Sequence, residues 1–328
     1  MRANYLRYTA ILLVIVFFVA AAFLFLEVWE SDEGRFSGTS TGNDVIEYKG
    51  KEYVKKDDVE TLLVLGLDKY KGADSAESHK SGVQADFLML FVFDKEDKEC
   101  TAIQINRDTM TKVNKLAVGG ATVAETFTKQ IALAYNYADA SNDKIKCRNT
   151  KDSVEYLFKG LTVDHYLSLT MDAVAKSCDL VGGVEVTVLD DFTGIDNTLI
   201  KGERVNLTGE QALRYVRSRY GLEDSTNHTR MVRQQQYIEA LYKKIDYCME
   251  ADEEFIVSFI DGVDDYVVYD SSDQKMLKYA QMFEEYKFLG IREIEGQTKL
   301  GEEFIEFYPD EESIMDISIG LFYKQKAD

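Results

Sequence analysis

Residues Thr61–Leu67 read TLLVLGL, an apolar run without a charge, and Asp68 follows it directly. A continuous apolar run of this length is typical of a strand that is buried on both faces of a sheet. The run FLMLFVF at Phe87–Phe93 has the same character, and Asp86 precedes it. Two such strands, each with a carboxylate at one end, predict a central sheet whose rim carries polar side chains.

Further strands and helices alternate along the chain. Strands are predicted at Thr101–Ile105, His165–Leu169, Val184–Leu189, Phe255–Ile260 and Tyr266–Asp270, and a hairpin at Val45–Val54. Helices are predicted at Val123–Asn136, Lys151–Phe158, Met171–Leu180, Thr208–Arg219, Arg230–Tyr247, Asp273–Tyr286 and after Pro309. This alternation predicts an α/β fold in which helices cover both faces of a mixed central β-sheet.

The N-terminal segment carries the clearest physical signal in the sequence. Tyr8–Leu26 contains no charged residue, and about 20 helical residues span the hydrocarbon core of a bilayer. Arg2 and Arg7 precede this run and acidic residues follow it, so the positive-inside rule places the N-terminus in the cytoplasm. We therefore expect a cytoplasmic N-terminus at 1–7, a transmembrane anchor at 8–29, a flexible linker at 30–43 and an extracytoplasmic domain at 44–328. The alternatives are a cleaved signal peptide and a buried core helix.

Charge and cysteine spacing exclude two kinds of function. The net charge of −20 argues against nucleic acid as a partner, because most of the surface would repel phosphates. Four cysteines lie far apart and lack the short paired spacing of a zinc site: Cys100, Cys147, Cys178 and Cys248. Buried thiols are the simpler interpretation, and one disulfide outside the membrane is the alternative.

Half of the twelve arginines of the chain fall within about thirty residues. These six are Arg204, Arg214, Arg217, Arg219, Arg230 and Arg233. Arginine makes planar, bidentate contact with phosphate or carboxylate, so such a cluster in an acidic chain suggests an anion site. Arg230 and Gln234 are four residues apart and therefore share one helical face. The alternative is that these arginines only pair with surface acids.

A second group of polar residues lies at the ends of the predicted strands. Asp68 and Asp86 flank two of them, and Arg107 and Asp108 come at the end of a third. Open α/β sheets place ligands at this rim. Two carboxylates beside a pyrophosphate suit Mg²⁺, because one or two acids bind it while substrate phosphates and water complete its octahedron. Each aspartate taken alone is equally typical of a turn or a helix cap.

Six short motifs occur in order along the chain. They are LGLDKY, QADFLML, INRDTM, DLVGGVEV, LTGEQALRYVRSR and HTRMVRQQQ. In their order and separation they resemble the LytR-CpsA-Psr family, with the core motifs at residues 60–244. The resemblance implies a three-layer α/β/α domain, anchored in the cell membrane, that acts on polyprenyl-linked glycans.

The resemblance also implies roles for individual residues. Asp68 and Asp86 would be ligands of Mg²⁺, with Mn²⁺ as the alternative metal. Arg107 would be a catalytic ligand of the pyrophosphate, and we take Asp108 as a candidate base, although an ion pair with a neighbouring arginine suits it equally. The remaining pyrophosphate ligands would be Arg217, Arg219, Arg230 and Gln234. The lipid would lie in an apolar tunnel.

The sequence departs from the family pattern at positions close to these motifs. Gln84 and Ala85 stand where the family generally has arginine and serine, and Asn106 stands where it has proline. Asn227 replaces the usual aspartate upstream of Arg230. One positive and one negative group are lost together, which would keep the net charge of the anion site.

These observations predict transfer of a glycopolymer from a polyprenyl-pyrophosphate carrier to a hydroxyl of peptidoglycan or another wall acceptor. The product would be a phosphodiester, and the arginines with the metal would stabilise the developing negative charge. A pyrophosphate hydrolase that uses water as the acceptor is one alternative. A non-catalytic receptor or scaffold for lipid-linked glycans is another, which the departures at Gln84 and Asn227 keep open.

Overall fold

The computed structural model describes residues 45–69, 83–138, 142–218, 221–222, 227–252, 255–302 and 304–326. The expected N-terminal segment, anchor and linker, at 1–7, 8–29 and 30–43, lie outside these residues, and so does Arg219. Within the described ranges, no helix is long and apolar enough to cross a bilayer.

Short strands and helices of ordinary length make up the described chain. The strands are β1 (Val45–Tyr48), β2 (Lys51–Lys55), β3 (Val59–Leu67), β4 (Ala85–Asp94), β5 (Glu99–Ile105), β6 (Met110–Leu116), β7 (Val123–Gln130), β8 (His165–Thr170), β9 (Val184–Thr187), β10 (Arg204–Leu207), β11 (Val267–Tyr269), β12 (Lys287–Glu293), β13 (Gly296–Leu300), β14 (Ile305–Pro309) and β15 (Tyr323–Gln325). The helices are α1 (Asp143–Leu157), α2 (Met171–Leu180), α3 (Gly209–Arg217), α4 (Asn227–Ala251), α5 (Phe255–Val263), α6 (Asp273–Glu285) and α7 (Glu311–Phe322).

Six strands form the central sheet in the order β11-β8-β3-β4-β5-β12. The β3–β8 and β5–β12 pairs are parallel, while β3–β4, β4–β5 and β8–β11 are antiparallel. The predicted mixed sheet is therefore confirmed. A register shift between Gly66 and Leu67 interrupts the β3–β4 ladder just before Asp68.

The sheet separates two hydrophobic cores, and β3 contributes to both. Leu62 and Val64 pack into one core with Tyr237 of α4 and Tyr279 of α6. The intervening residues, Leu63 and Leu65, pack into the other core, which also contains residues of α1 and α7. Because successive strand residues point to opposite faces, this alternation confirms that helices cover both faces of the sheet.

Two predicted elements are wrong. Val123–Asn136 is not a helix, because Val123–Gln130 forms strand β7, which pairs antiparallel with β6, and Ile131–Tyr135 is a 3-10 turn. The strand predicted at Phe255–Ile260 is helix α5, which places Phe259 and Ile260 in the first core. An apolar run this short is compatible with a strand or a helix by period, and tertiary packing decided it.

The cysteine prediction of buried thiols is confirmed for three of the four residues. Cys100, Cys147 and Cys178 are buried, Cys248 is half-buried, and all four are free. Burial raises the pKa of the Cys147 thiol to about 12, so this residue stays protonated and packs as a small apolar side chain.

Candidate functional site

Three strand ends bring Asp68, Asp86 and Arg107 to one edge of the central sheet. Strand β3 ends where β4 begins, because Leu67 is paired with Ala85 in the antiparallel ladder. The Asp68 amide N–H then donates to the Gln84 carbonyl oxygen at 2.9 Å. Strand β5 ends at the same edge, and Arg107 follows it by two residues. The sequence prediction that these polar residues share a rim is confirmed.

Asp86 lies between two arginines at the centre of this edge. Arg107 Nη1 donates to Asp86 Oδ1 at 2.5 Å, and Arg230 Nη1 donates to Asp86 Oδ2 at 2.9 Å. The exposed fractions of these three residues are only 5%, 6% and 2% for Asp86, Arg107 and Arg230. Two guanidinium groups share one carboxylate in a place that water barely reaches, and Asp108, 3.5 Å from Arg107 Nε, supplies the second negative charge. Guanidinium groups carry several N–H donors that suit phosphate oxygens, so this pair of arginines can also bind a further anion.

Two of the departures from the family pattern contact these arginines. Gln84 Oε1 accepts a hydrogen bond from Arg107 Nη2. Asn227 Oδ1 accepts one from Arg230 Nη2 at 2.5 Å, and Asn227 Nδ2 donates to Asn106 Oδ1 at 2.8 Å. Neutral amides therefore orient both guanidinium groups without neutralising them. The sequence alone did not indicate that the side chains at positions 84 and 227 bond two different arginines of one site.

Asp68 binds a third arginine beside this pair. Arg217 Nε and Nη2 donate to the two carboxylate oxygens of Asp68 at 2.8 and 3.3 Å, which is the bidentate geometry that arginine favours. Arg217 is the last residue of α3, a helix whose start is fixed by a capping box between Thr208 and Gln211. Gln234 of α4 donates to the Val216 carbonyl oxygen at 3.2 Å and so ties α4 to this helix end.

Asp108 is buried on the far side of Arg107. Asp108 Oδ1 accepts from Gln130 Nε2 at 3.1 Å and lies 3.5 Å from Arg107 Nε. The contact with Arg107 is the ion pair that the sequence analysis gave as the alternative to a role of Asp108 as a base. Since the Asp108 carboxylate also lines a polar cleft, a role as a base remains a prediction.

The remaining arginines of the cluster differ in what they contact. Arg204 pairs with Glu185, and Arg214 pairs with Asp196 and Glu210, all at the surface or partly buried. For these two arginines the simpler interpretation, pairing with acids, is correct.

Arg233 is a buried residue whose role sequence reasoning missed. Its side chain is fully buried, Nε lies 3.2 Å from Asp190 Oδ2, and Nη2 donates to the Ser218 carbonyl oxygen. The guanidinium stacks on Phe192 and Tyr215 at 5.3 and 5.9 Å. Burial lowers the pKa of Arg233, while Asp190 and Tyr215 act in the opposite direction. Arg233 therefore supports the chain segment that follows Arg217.

An apolar cavity of about 100 Å³ opens on one side of the site. Its lining includes Gly66 and Phe87 from the strand ends and Val216, Gln234 and Tyr237 from the helices. A Cβ atom at position 66 would lie 2.8 Å from the Cβ atom of Phe87, so glycine is needed where β3 meets this cavity. Apolar space thus begins directly beside the residues that hold Asp68 and Asp86.

A larger cleft of about 880 Å³ has both polar and apolar lining residues, and we call it the polar cleft because carboxylates and amides distinguish it from the apolar cavity. Asn106, Asp108 and Asn227 line it, together with residues 293–298, 305 and 307–311 around the β13–β14 hairpin. The cationic residues therefore stand between an apolar cavity and a polar cleft.

The acidic side chains at the site can supply only part of the ligands of a metal ion. Among the described residues there is no group of three acidic, histidine or cysteine side chains that would enclose a metal by itself. Asp68 and Asp86 offer two carboxylates, and a carboxylate oxygen can accept more than one partner at a time. This donor set fits a cation such as Mg²⁺ that takes most of its ligands from substrate phosphates and water.

A family model described as the LytR_cpsA_psr family matches residues 33–318. The chain belongs to this family. A curated relative is the polyisoprenyl-teichoic acid–peptidoglycan teichoic acid transferase TagU of Halalkalibacterium halodurans, which is 31% identical over 174 residues, 53% of this chain and 51% of the relative. The chain thus spans about half the length of the curated relatives it matches.

Solved structures of the LytR_cpsA_psr family share the fold described above. The crystal structure of B. subtilis TagV has a TM-score of 0.55 at 21% identity, covering 81% of this chain and 96% of TagV. A structure of TagT bound to LI-WTA has a TM-score of 0.57 at 17% identity, covering 81% of this chain and 90% of that chain. At these identities the likeness concerns the fold alone.

Proposed function

We propose that this protein transfers a glycopolymer from a polyprenyl-pyrophosphate carrier to a hydroxyl group of peptidoglycan or another wall polymer. The observation that carries this proposal is the buried group of Asp86, Arg107 and Arg230, in which two guanidinium groups share one carboxylate. Phe87, which follows Asp86, lines an apolar cavity, and Asp108, which follows Arg107, lines a polar cleft. A lipid-linked pyrophosphate has these three parts: an apolar chain, two charged phosphates and a polar sugar. Curated relatives named as teichoic acid transferases support the same reaction class.

The arginines would bind the two phosphates by exchanging partners. In this structure Arg107 and Arg230 donate to Asp86, and Arg217 donates to Asp68. A pyrophosphate offers pairs of oxygen acceptors that match the two-pronged guanidinium group and carries more charge than a carboxylate, so the guanidinium groups would gain from turning toward it. Asp68 and Asp86 would then hold Mg²⁺ or Mn²⁺, which would supply further positive charge to the phosphate oxygens.

The reaction is an in-line displacement at phosphorus. The acceptor hydroxyl oxygen attacks the phosphorus that carries the glycan, and a new P–O bond forms as the bond to the lipid-side phosphate breaks. The polyprenyl monophosphate leaves, and the hydroxyl proton passes to Asp108, the carboxylate at the cleft wall. Once turned toward the substrate, Arg107 and Arg230 stabilise the charge that develops on the phosphate oxygens, and donors in such positions are worth about 100- to 1,000-fold in rate.

The carrier lipid would enter through the apolar cavity. Its resting volume of about 100 Å³ is smaller than the ~150 Å³ cavity that holds one benzene molecule, so it accepts only the first carbons of the chain. Leu169 and Val174 line one side and Tyr237 and Leu241 of α4 the other, so separation of these elements would lengthen it. We propose that the N-terminal anchor holds the domain at the outer face of the cell membrane, where such a lipid is available.

A transfer assay with the full chain in lipid nanodiscs tests this function. A polyprenyl-pyrophosphate glycan is supplied with and without a wall oligosaccharide, and both polyprenyl monophosphate and glycosylated acceptor are measured. Arg107→Lys should abolish acceptor-dependent release, whereas Arg204→Lys, which changes an exposed arginine paired with Glu185, should not. Release that ignores the acceptor would indicate the hydrolase, and lipid binding without release would indicate the scaffold.

A further inference from the structure

The polar cleft beside the reaction site is large enough to hold several sugar units. Its volume of about 880 Å³ lies at the upper end of the range for small-molecule sites. Its lining contains Asn106 and Asp108, together with residues of β13, of β14 and of the chain that follows them. A polymer lying in this cleft would therefore run past the Asp108 carboxylate.

The hairpin wall is fixed to the reaction site by hydrogen bonds. The Phe307 amide N–H donates to the Asp108 carbonyl oxygen at 2.8 Å. Gln130 Nε2 donates both to the Ile305 carbonyl oxygen at 2.6 Å and to Asp108 Oδ1 at 3.1 Å. Because one glutamine holds both the hairpin and the candidate base, the hairpin wall has a defined position relative to that base.

The charge of this cleft is opposite to that of the arginine group. Five of its lining residues are acidic, and no lysine or arginine is found among the described lining residues. The five acids are Asp108, Glu293, Glu295, Asp310 and Glu311. Such a cleft repels a pyrophosphate and attracts a cation, so the two ends of the site recognise different parts of the reaction.

Gln104 gives a second, independent indication of a ligand. This residue is 1% exposed and lines the cleft. Its Oε1 accepts from Gln235 Nε2, but its Nε2 has no hydrogen-bond partner within the described part of the chain. A buried donor of this kind calls for an acceptor from outside, and a sugar hydroxyl or ring oxygen supplies one.

We propose that this cleft binds the acceptor saccharide and selects sugars that carry free amino groups. In mildly acidic solution the primary amines of such sugars are ammonium groups and would sit against Glu293 and Glu295, while Gln104 donates to a sugar oxygen. The carboxylates are spread along the cleft rather than gathered around one point, which suits charges repeated along a polymer better than a single metal ion. The assignment of this saccharide as the acceptor rests on the proposed function.

Binding measurements with two matched oligosaccharides test the selectivity. The full chain is titrated with a β-1,4-linked glucosamine tetramer and with its N-acetylated counterpart in the same mildly acidic buffer, in which the amino groups are protonated. We expect the amino form to bind about tenfold more tightly, and the difference to shrink at high salt because exposed charges are screened. Glu295→Gln should weaken binding of the amino form about fivefold and leave the acetylated form unchanged.

Glu302→Gln is the matched control, because Glu302 lies in the loop of the same hairpin but does not line the cleft. Thermal melting of both variants shows that they are folded. Equal affinity for the two tetramers, or equal effects of the two substitutions, would overturn the selectivity.

The transfer assay separates this inference from the proposed function. Tight binding of the amino tetramer with no transfer to any acceptor would leave the cleft's selectivity standing and reject the transferase. Equal transfer to the amino and acetylated tetramers would support the transferase and reject the selectivity. Transfer that favours the amino tetramer and loses that preference in Glu295→Gln supports both.

Discussion

Strand β3 carries a buried, ion-paired carboxylate cluster at each end, and the two clusters are built differently. At its start, Glu60 faces the ammonium groups of Lys95, Lys275 and Lys278. Beyond its end, Asp68 faces Arg217, and the neighbouring Asp86 faces Arg107 and Arg230.

Solvent exposure separates the two clusters. The lysine side chains are 28–49% exposed, so their charges remain hydrated. The side chains of Arg107 and Arg230 are only 7% and 3% exposed. Burying guanidinium groups costs free energy that a surface lysine avoids. The lysine cluster has a structural role, while the desolvated arginines are suited to binding an anion.

Removing the charge of Asp86 should have the largest effect on stability. Asp86→Asn leaves two buried guanidinium groups facing a neutral side chain, which we expect to cost about 3 kcal/mol in the free energy of unfolding. Inorganic pyrophosphate should restore much of this loss, because it supplies the missing negative charge. Urea unfolding with and without pyrophosphate measures both effects. Asp191→Asn is the control, since Asn preserves the exposed turn with Thr193; a similar loss there would contradict the account.

Changing the arginine geometry should affect activity more than stability. Arg230→Lys keeps one charge but loses the planar donors, and we expect the rate of glycan transfer to fall about 100-fold. Glu60→Gln, at the other end of β3, should leave that rate unchanged. Single-turnover transfer assays on both variants give the comparison. If Glu60→Gln lowers the rate as much as Arg230→Lys, the two clusters do not have separate roles.

The lysine cluster should appear in the pH dependence of stability. Burial raises the pKa of Glu60, but hydrogen bonds from Lys275 and Lys278 outweigh it and lower this pKa to about 2, from an ordinary value of 4.5. A depressed carboxyl pKa stabilises the fold above the ordinary value, and this contribution is lost as pH falls from about 4.5 toward 2. Because the lysines are partly exposed and solvent weakens their attraction to Glu60, we expect Glu60→Gln to lower the free energy of unfolding by about 2 kcal/mol at pH 7.

Urea unfolding of the wild type and Glu60→Gln at several pH values measures this contribution. The difference between them should be constant from pH 7 to pH 5 and should narrow from pH 4.5 to pH 3. A difference that does not change with pH would show that the lost stability comes from packing rather than from charge.

Restoring the residue usual in the family should have a small effect. Asn227→Asp adds a negative charge beside Arg230 at a buried position and should weaken pyrophosphate binding about threefold, because the new carboxylate competes with the pyrophosphate for one guanidinium group while Arg107 keeps its neutral partner. Adding Gln84→Arg to the same chain should return the affinity to near the wild-type value. Calorimetric titration of both variants decides the point, and tighter binding by Asn227→Asp alone would contradict it.

Long apolar strands and the residues at their ends were predictable from the sequence. TLLVLGL and FLMLFVF were predicted as strands buried on both faces of a sheet, and both are, so the adjoining Asp68 and Asp86 lie at its edge. Helix α3 was equally well marked by its capping residues, Thr208 and Gln211. In these places local pattern and tertiary structure agree.

The errors occurred where pairing or packing over long sequence distances decides the structure. Val123–Gln130 is largely exposed and has no apolar face of its own, so only its pairing with β6 makes it a strand. The support that Arg233 receives from Asp190 and Phe192 joins segments about forty residues apart, and nothing in the local sequence marks it. The cleft wall formed by β13 and β14 was missed because short, polar strands carry a weak pattern.

Titration of the full chain with inorganic pyrophosphate and, separately, with inorganic phosphate is the most direct test of the central claim. The buried arginines should bind one pyrophosphate per chain and prefer it to phosphate, Arg230→Lys should remove this binding, and Arg204→Lys should preserve it. If pyrophosphate and phosphate bind equally, or if the two arginine variants behave alike, the group around Asp86 is not a pyrophosphate site.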